Sequence, residues 1–116
     1  MGNKKIYGML FSKVYKLLIA KAEKKSRTKE EVYKITTWLT GYTNEQIDEL
    51  INSDIKYGEF FLQAPNMNPK RKSITGIICG VKVEDIEDQL MQEIRYLDKM
   101  IDELTKEKPI DKILRD

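Results

Sequence analysis

Two short runs of this chain hold residue types that can do chemistry. Asn66-Met67-Asn68-Pro69-Lys70-Arg71-Lys72-Ser73 sets three cations and a hydroxyl side by side. If a helix starts after Ser73, its free backbone N–H groups and the Ser73 hydroxyl point the same way as the cations. Asn66, Asn68, Lys70, Arg71, Lys72 and Ser73 are then a candidate site for a phosphate or carboxylate. The competing expectation is a solvated turn whose asparagines bond their own backbone, with Ser73 only a cap. The second run is Glu84-Asp85-Ile86-Glu87-Asp88, with Glu93 further on. Glu84 and Asp88 are four apart and share a face if the segment is helical. Such a pair is a weak candidate for holding magnesium, or for acid–base work by one carboxyl with a raised pKa. The plainer expectation is a charge run that serves the free N–H groups of a helix start. The spacing of a calcium loop is absent.

The chain has no His and one Cys. That removes Ser–His and Cys–His nucleophile pairs, imidazole ligands and an intramolecular disulfide. Cys79 lies between Ile78 and Gly80 and is expected to be a buried small hydrophobe, because no His can activate it. No catalytic residue and no cofactor are expected.

The elements that would position these residues read as helices. The length of 116 residues fits one domain over 1–116. Hydrophobic residues are 41% and charged residues 34%, with 6 Gly and 3 Pro, the balance of a helical globular protein. A first helix is expected from about Gly8 to Lys25, with Tyr7, Leu10, Phe11, Val14, Leu17 and Leu18 on one stripe and lysines opposite. Thr28-Lys29-Glu30-Glu31 is a capping box that opens a second helix, which Gly41 closes. Thr43-Asn44-Glu45-Gln46 is another, with Tyr42 and Ile47 placed for a hydrophobic staple. Ser53 or Asp54 is expected to cap a short helix through Tyr57, Phe60, Phe61 and Leu62, stopped by Pro65. Residues 74–83 are ambiguous. Their β-branched content suits a strand, but no partner strand is evident, so a short buried helix is preferred. Ile86, Leu90, Ile94, Leu97, Ile101 and Leu104 mark a long helix that begins at Asp85 or Asp88. A short final helix follows Pro109. The aromatics read as core. The third helix carries Glu45, Asp48 and Glu49 and no cation, which argues against a DNA-reading helix.

Net charge is +2, unevenly spread. Residues 1–40 carry 10 Lys/Arg against 3 Asp/Glu, and residues 73–116 carry 7 against 11. The expectation is that the basic N-terminal part faces the acidic C-terminal helix. The alternative is a basic face for an anionic partner. Met1–Lys5 is polar and short, and Leu10–Ala22, broken by Ser12, Lys13, Lys16 and Lys21, holds no secretory h-region and is far short of the roughly 20 apolar residues of a membrane span. A cytoplasmic location, with no membrane contact, is expected.

Several runs taken together resemble a known family. They are Ala20-Lys21-Ala22-Glu23-Lys24-Lys25, Trp38-Leu39-Thr40-Gly41-Tyr42, Gln63-Ala64-Pro65-Asn66-Met67-Asn68-Pro69, Ile74-Thr75-Gly76, Cys79-Gly80-Val81, Val83-Glu84-Asp85-Ile86-Glu87-Asp88 and Ile94-Arg95-Tyr96-Leu97-Asp98-Lys99. Over nearly its whole length the chain resembles the bacterial domain of unknown function 2200 family. Relatives often have Pro where this chain has Gln89. The resemblance thus implies that the long helix starts near Asp88, with Glu84–Glu87 a separate turn. It also implies a bacterial, cytoplasmic setting, and it carries over no functional residue.

The expected fold is all-α: a small orthogonal helical bundle of five to seven helices, ending in a long helix and a short one. The leading expected function is a non-enzymatic binding or adaptor domain, with an unknown protein partner or self-association through an exposed helix face. One alternative is recognition of a phosphorylated ligand or nucleic acid through the 66–73 loop and the basic first helix. The other is a small carboxylate-dependent enzyme.

Overall fold

The computed structural model describes residues 2–115. Met1, at the start of the segment expected to lack a leader, lies outside them. The fold is mostly helical, as expected. Six α-helices are present among the described residues: α1 (Phe11–Lys24), α2 (Lys29–Thr40), α3 (Asn44–Ile51), α4 (Tyr57–Leu62), α5 (Gln89–Thr105) and α6 (Ile110–Ile113). Short 3-10 turns cover Gly2–Gly8, Pro69–Ser73 and Val83–Asp85.

The α2–α3 corner forms as its residues dictate. Thr28 Oγ1 accepts the Glu31 N–H at 3.1 Å, and the Glu31 carboxylate accepts the Thr28 N–H at 3.0 Å. Thr43 and Gln46 repeat the exchange at 3.1 and 2.9 Å. Each box satisfies free donors at a helix start. Between them, Gly41 takes φ 82°. A Cβ there would also come within 2.9 Å of the Asn66 backbone, so both conformation and contact demand glycine.

Helix α1 starts three residues later than expected. Residues Met9 and Phe11 instead exchange backbone bonds with Tyr57 (2.7 Å) and Ile55 (2.9 Å), which holds the chain extended at Leu10. The cap of α4 is also corrected. Ser53 Oγ donates to Leu50 O at 2.7 Å and so closes α3, while Lys56 starts α4 with its N–H on the Glu59 carboxylate at 3.2 Å.

The helix preferred for residues 74–83 does not form. The segment folds back as a hairpin, β1 (Ile77–Ile78) against β2 (Val81–Lys82), with Ile77 opposite Lys82 and Ile78 opposite Val81. Its two turn residues, Cys79 and Gly80, both have positive φ, 52° and 81°. Two such residues give the twist a two-residue hairpin requires. The partner strand is therefore supplied by the segment itself, and the hairpin rests on α5.

Helix α5 is capped by Asp88, whose carboxylate accepts the Leu90 and Met91 N–H groups at 3.1 and 3.3 Å. Ile86 lies before the helix, so the buried seam begins at Met91 and runs through Ile94, Leu97, Ile101 and Leu104. At the far end Arg27 donates to Leu104 O (3.2 Å) and Lys108 O (3.1 Å), satisfying carbonyls a helix end leaves free. The aromatics form the core, as expected. Phe60 stacks on Phe11 (4.0 Å between centroids) and Tyr42 (4.6 Å), and Phe11 stacks on Tyr15 (4.9 Å). Among the described residues, no helix is long and apolar enough to cross a membrane.

Candidate functional site

Residues 66–73 close the end of α2 rather than open a helix. The N–H groups of Asn66 and Asn68 donate to Thr40 O (3.0 Å) and Leu39 O (2.9 Å). Asn68 Oδ1 accepts the Lys70 N–H at 2.9 Å, and Ser73 Oγ donates to Lys70 O at 2.7 Å. The helix N-terminus expected after Ser73 is absent, because Ile74 continues as extended chain. Arg71 turns inward: its Nε donates to Glu93 Oε1 at 2.8 Å and its Nη1 to Asn68 O at 2.9 Å. Lys70 and Lys72 stay exposed. The three cations therefore do not converge.

The carboxylates also go separate ways. Glu84 and Asp88 do not share a helical face, since Val83–Asp85 is a 3-10 turn and α5 begins only at Gln89. Glu84 accepts the Gly76 N–H at 2.9 Å, which holds its carboxyl below the ordinary range. Asp88 caps α5 and accepts the Tyr7 hydroxyl at 2.8 Å. Burial and then Asp88 push that phenol up to about 12. Glu93 is bound to Arg71. Among the described residues, no three His, Cys, Asp or Glu side chains gather as a metal would need. Cys79, expected to be buried, is exposed at the hairpin tip, because a turn residue faces solvent. Arg95 Nη1 donates to its Sγ at 3.3 Å and to Asp98 at 2.7 Å. Burial raises the Asp98 pKa, opposed by Arg95 and then Lys21.

The basic N-terminal part meets the acidic long helix at few points, through Lys21 near Asp98 and Arg27 at the end of α5, and not through a row of salt bridges. The acids of α5 find cations nearby: Asp98 with Arg95, Asp102 with Lys99 and Lys106, Glu103 with Lys108 and Arg115. Among the described residues Lys13, Lys16, Lys21 and Lys24 of α1 make no ion pair. They lie on the solvent side of α1, around Leu17, which is 65% exposed. Leu17 had been placed on the buried stripe. Counting about 100° per residue, it falls about 240° from Phe11, beyond the apolar arc. The legible signal was Lys13 and Lys21, four positions either side, because residues four apart share a face.

Leu17 opens a shallow trough. One hollow is lined by Leu17, Ala20, Lys21, Glu23 and Lys24. The next shares Ala20 and Glu23 and adds Lys16, Ile19, Lys29 and Ile51. A third continues from Lys29 past Glu30, Tyr33, Asn44 and Asp48. Lys29 Nζ sits 5.4 Å from the centre of the Tyr33 ring, and the Tyr33 hydroxyl donates to Asp48 at 2.6 Å. The trough is cationic and apolar along α1 and turns acidic beyond Lys29.

Buried phenols are expected to set the alkaline limit of the fold. Burial pushes Tyr42 up to about 12 and raises Tyr15, Tyr33 and Tyr57 as well. A group with a raised folded pKa stabilises fully below its unfolded pKa and loses that contribution as pH rises through the folded value. Stability is expected to hold below pH 10, the ordinary phenol value, and to fall steadily towards pH 12. Urea midpoints by circular dichroism, with tyrosinate absorbance followed in parallel, test this. Phenols that all ionise near pH 10 in the folded protein would contradict it.

Comparison with known proteins agrees with this architecture. A search of the curated proteins finds no match. The crystal structure of the uncharacterized protein SP1917 is similar at a TM-score of 0.93 and 49% sequence identity, covering 96% of this chain and 91% of that one. A family model described as an uncharacterized protein conserved in bacteria, DUF2200, matches residues 5–115. With the capped α2–α3 corner, the hairpin and α5 all inside the matched span, the chain belongs to the DUF2200 family of bacterial proteins.

Proposed function

We propose that the protein is a non-enzymatic binding domain, a single unit over 1–116 working in the bacterial cytoplasm, and that it docks an acidic partner on the solvent side of α1. One observation carries this reading: Lys13, Lys16, Lys21 and Lys24, which form no salt bridge among the described residues, surround an exposed leucine on a helix whose other side is core. Unpaired like charges on one face repel each other, and an acidic partner relieves that repulsion. Glu84 and Asp88, the carboxylate pair that could have served acid–base work or a metal, are each committed to a structural bond, as is Arg71. A partner read by base stacking is disfavoured because Tyr15, the aromatic between Lys13 and Lys16, is buried under Phe11 and bonded to Thr36.

The test is titration with poly-glutamate at low and moderate salt, followed by backbone amide shifts. Shifts on α1 that weaken with salt and vanish in the double variant Lys16→Glu/Lys24→Glu are expected. These side chains are exposed and make no salt bridge among the described residues, so the variant should fold normally. No shift on α1 at low salt, or equal binding by the variant, overturns the proposal.

A further inference from the structure

The proposal above leaves the form of the acidic partner open, and the trough narrows it. We infer that its occupant is an amphipathic acidic helix of a second protein. The apolar stripe of that helix lies over Leu17, Ala20, Ile19 and Ile51, and its flanking carboxylates meet Lys16, Lys21, Lys24 and Lys29. This inference rests on α1 being the recognition face.

Three features favour this occupant. The first is charge: four lysines line the first two hollows against one acid, Glu23. The second is the apolar floor. Leu17 and Ile51 stand at either end of it, with Ala20 between them as a low point where a helix can approach closely. A bare polyanion leaves this floor uncovered. The third is backbone chemistry. The floor of the trough is the outside of α1, whose backbone groups are bonded within the helix. An extended segment laid there would find no main-chain partners, whereas a helix brings its own bonds and binds through side chains alone.

The same features disfavour other occupants. An isologous pair of chains joined through this face would set lysines against lysines. A flat bilayer would receive only Leu17, since Ile19 and Ile51 are half-buried within the trough, and one large apolar side chain is too little for stable anchoring. Duplex DNA would match the lysines but not the apolar floor.

The test uses a synthetic helix with Leu at positions one, four and eight of a repeating pattern and Glu flanking them. Its competitors are a scrambled peptide of equal composition, poly-glutamate, duplex DNA and anionic phosphatidylglycerol vesicles. Binding is read by anisotropy, and the site by amide shifts. The amphipathic peptide is expected to bind at least about tenfold more tightly than its scrambled form, a difference of about 1.4 kcal/mol. Shifts should appear at Lys16–Lys24, Lys29 and Ile51. Leu17→Ser should weaken binding by at least about tenfold. Leu62→Ser, which changes an equally exposed leucine that does not line the trough, should not weaken it. Equal binding of the scrambled peptide, or no effect of Leu17→Ser, overturns the helix while leaving the acidic partner standing. Tighter binding to DNA or vesicles, self-association through α1, or no binding by any acidic probe overturns both.

Discussion

Phe60→Ala is expected to destabilise the fold by about 3–5 kcal/mol, the usual range for deleting a buried aromatic. Phe60 is fully buried and central to the aromatic core. Its ring stacks on Phe11 and Tyr42 and meets Phe61 edge-on at 5.2 Å. Those neighbours come from α1, the α2–α3 corner and α4, so no single element can collapse to fill the space. The Tyr42 hydroxyl also donates to Phe60 O at 2.6 Å, which ties the ring beside it in place. A domain of this size has roughly 5–15 kcal/mol in total, so about a fifth or more of its stability would go. Urea unfolding measures the loss from the shift in midpoint at unchanged slope. A loss under about 1 kcal/mol would mean that the site closes freely and that this stack is not the centre of the core.

Arg71→Ala is the second large effect. Arg71 and Glu93 are both mostly buried, with side-chain exposures of 15% and 10%, and meet at 2.8 Å. Removing the guanidinium strands the Glu93 carboxylate in the interior and takes a donor from Asn68 O. Breaking such a pair costs about 3–5 kcal/mol, far more than the pair itself contributes. Lys72→Ala, on an exposed neighbour, should stay within about 0.5 kcal/mol of the parent. The double variant Arg71→Met/Glu93→Leu, which removes both charges, should recover most of the loss. Had the three cations formed a solvent-facing anion site, all of these changes would be nearly neutral. Thermal or urea unfolding of the four proteins therefore separates the two roles.

That contrast shows how far the residues could be read in advance. The capping boxes at Thr28 and Thr43 and the left-handed Gly41 were all legible, whereas the residues left the start of α5 open between Asp85 and Asp88 and only the family resemblance pointed to Asp88. Each depends on donors and acceptors within four residues of one another. The hairpin at residues 77–82 was not, although its β-branched residues and Gly80 were in plain view. Local preference favours a strand there, and its partner is the same segment folded back at Cys79 and Gly80, a pairing that side-chain type and period do not reveal. The candidate site fared worse. Leu17 was read as core and Cys79 as buried, while Arg71 was read as a free cation.

What the chain alone determined was most of the helices, the capped ends at the α2–α3 corner, the aromatic core and the absence of imidazole chemistry. All of these follow from side-chain type and short spacing. Only the tertiary structure decided which charges are spent and which are free. Arg71 meets Glu93 from 22 residues away, and Arg27 meets the carbonyl of Leu104 from 77 away. Among the described residues the lysines of α1 form no salt bridge, and only Lys21 is near enough to an acid of α5 to act on it, at Asp98, whose carboxylate is already held by Arg95. Electrostatic pairing depends on distance in space, and distance along the chain does not supply it.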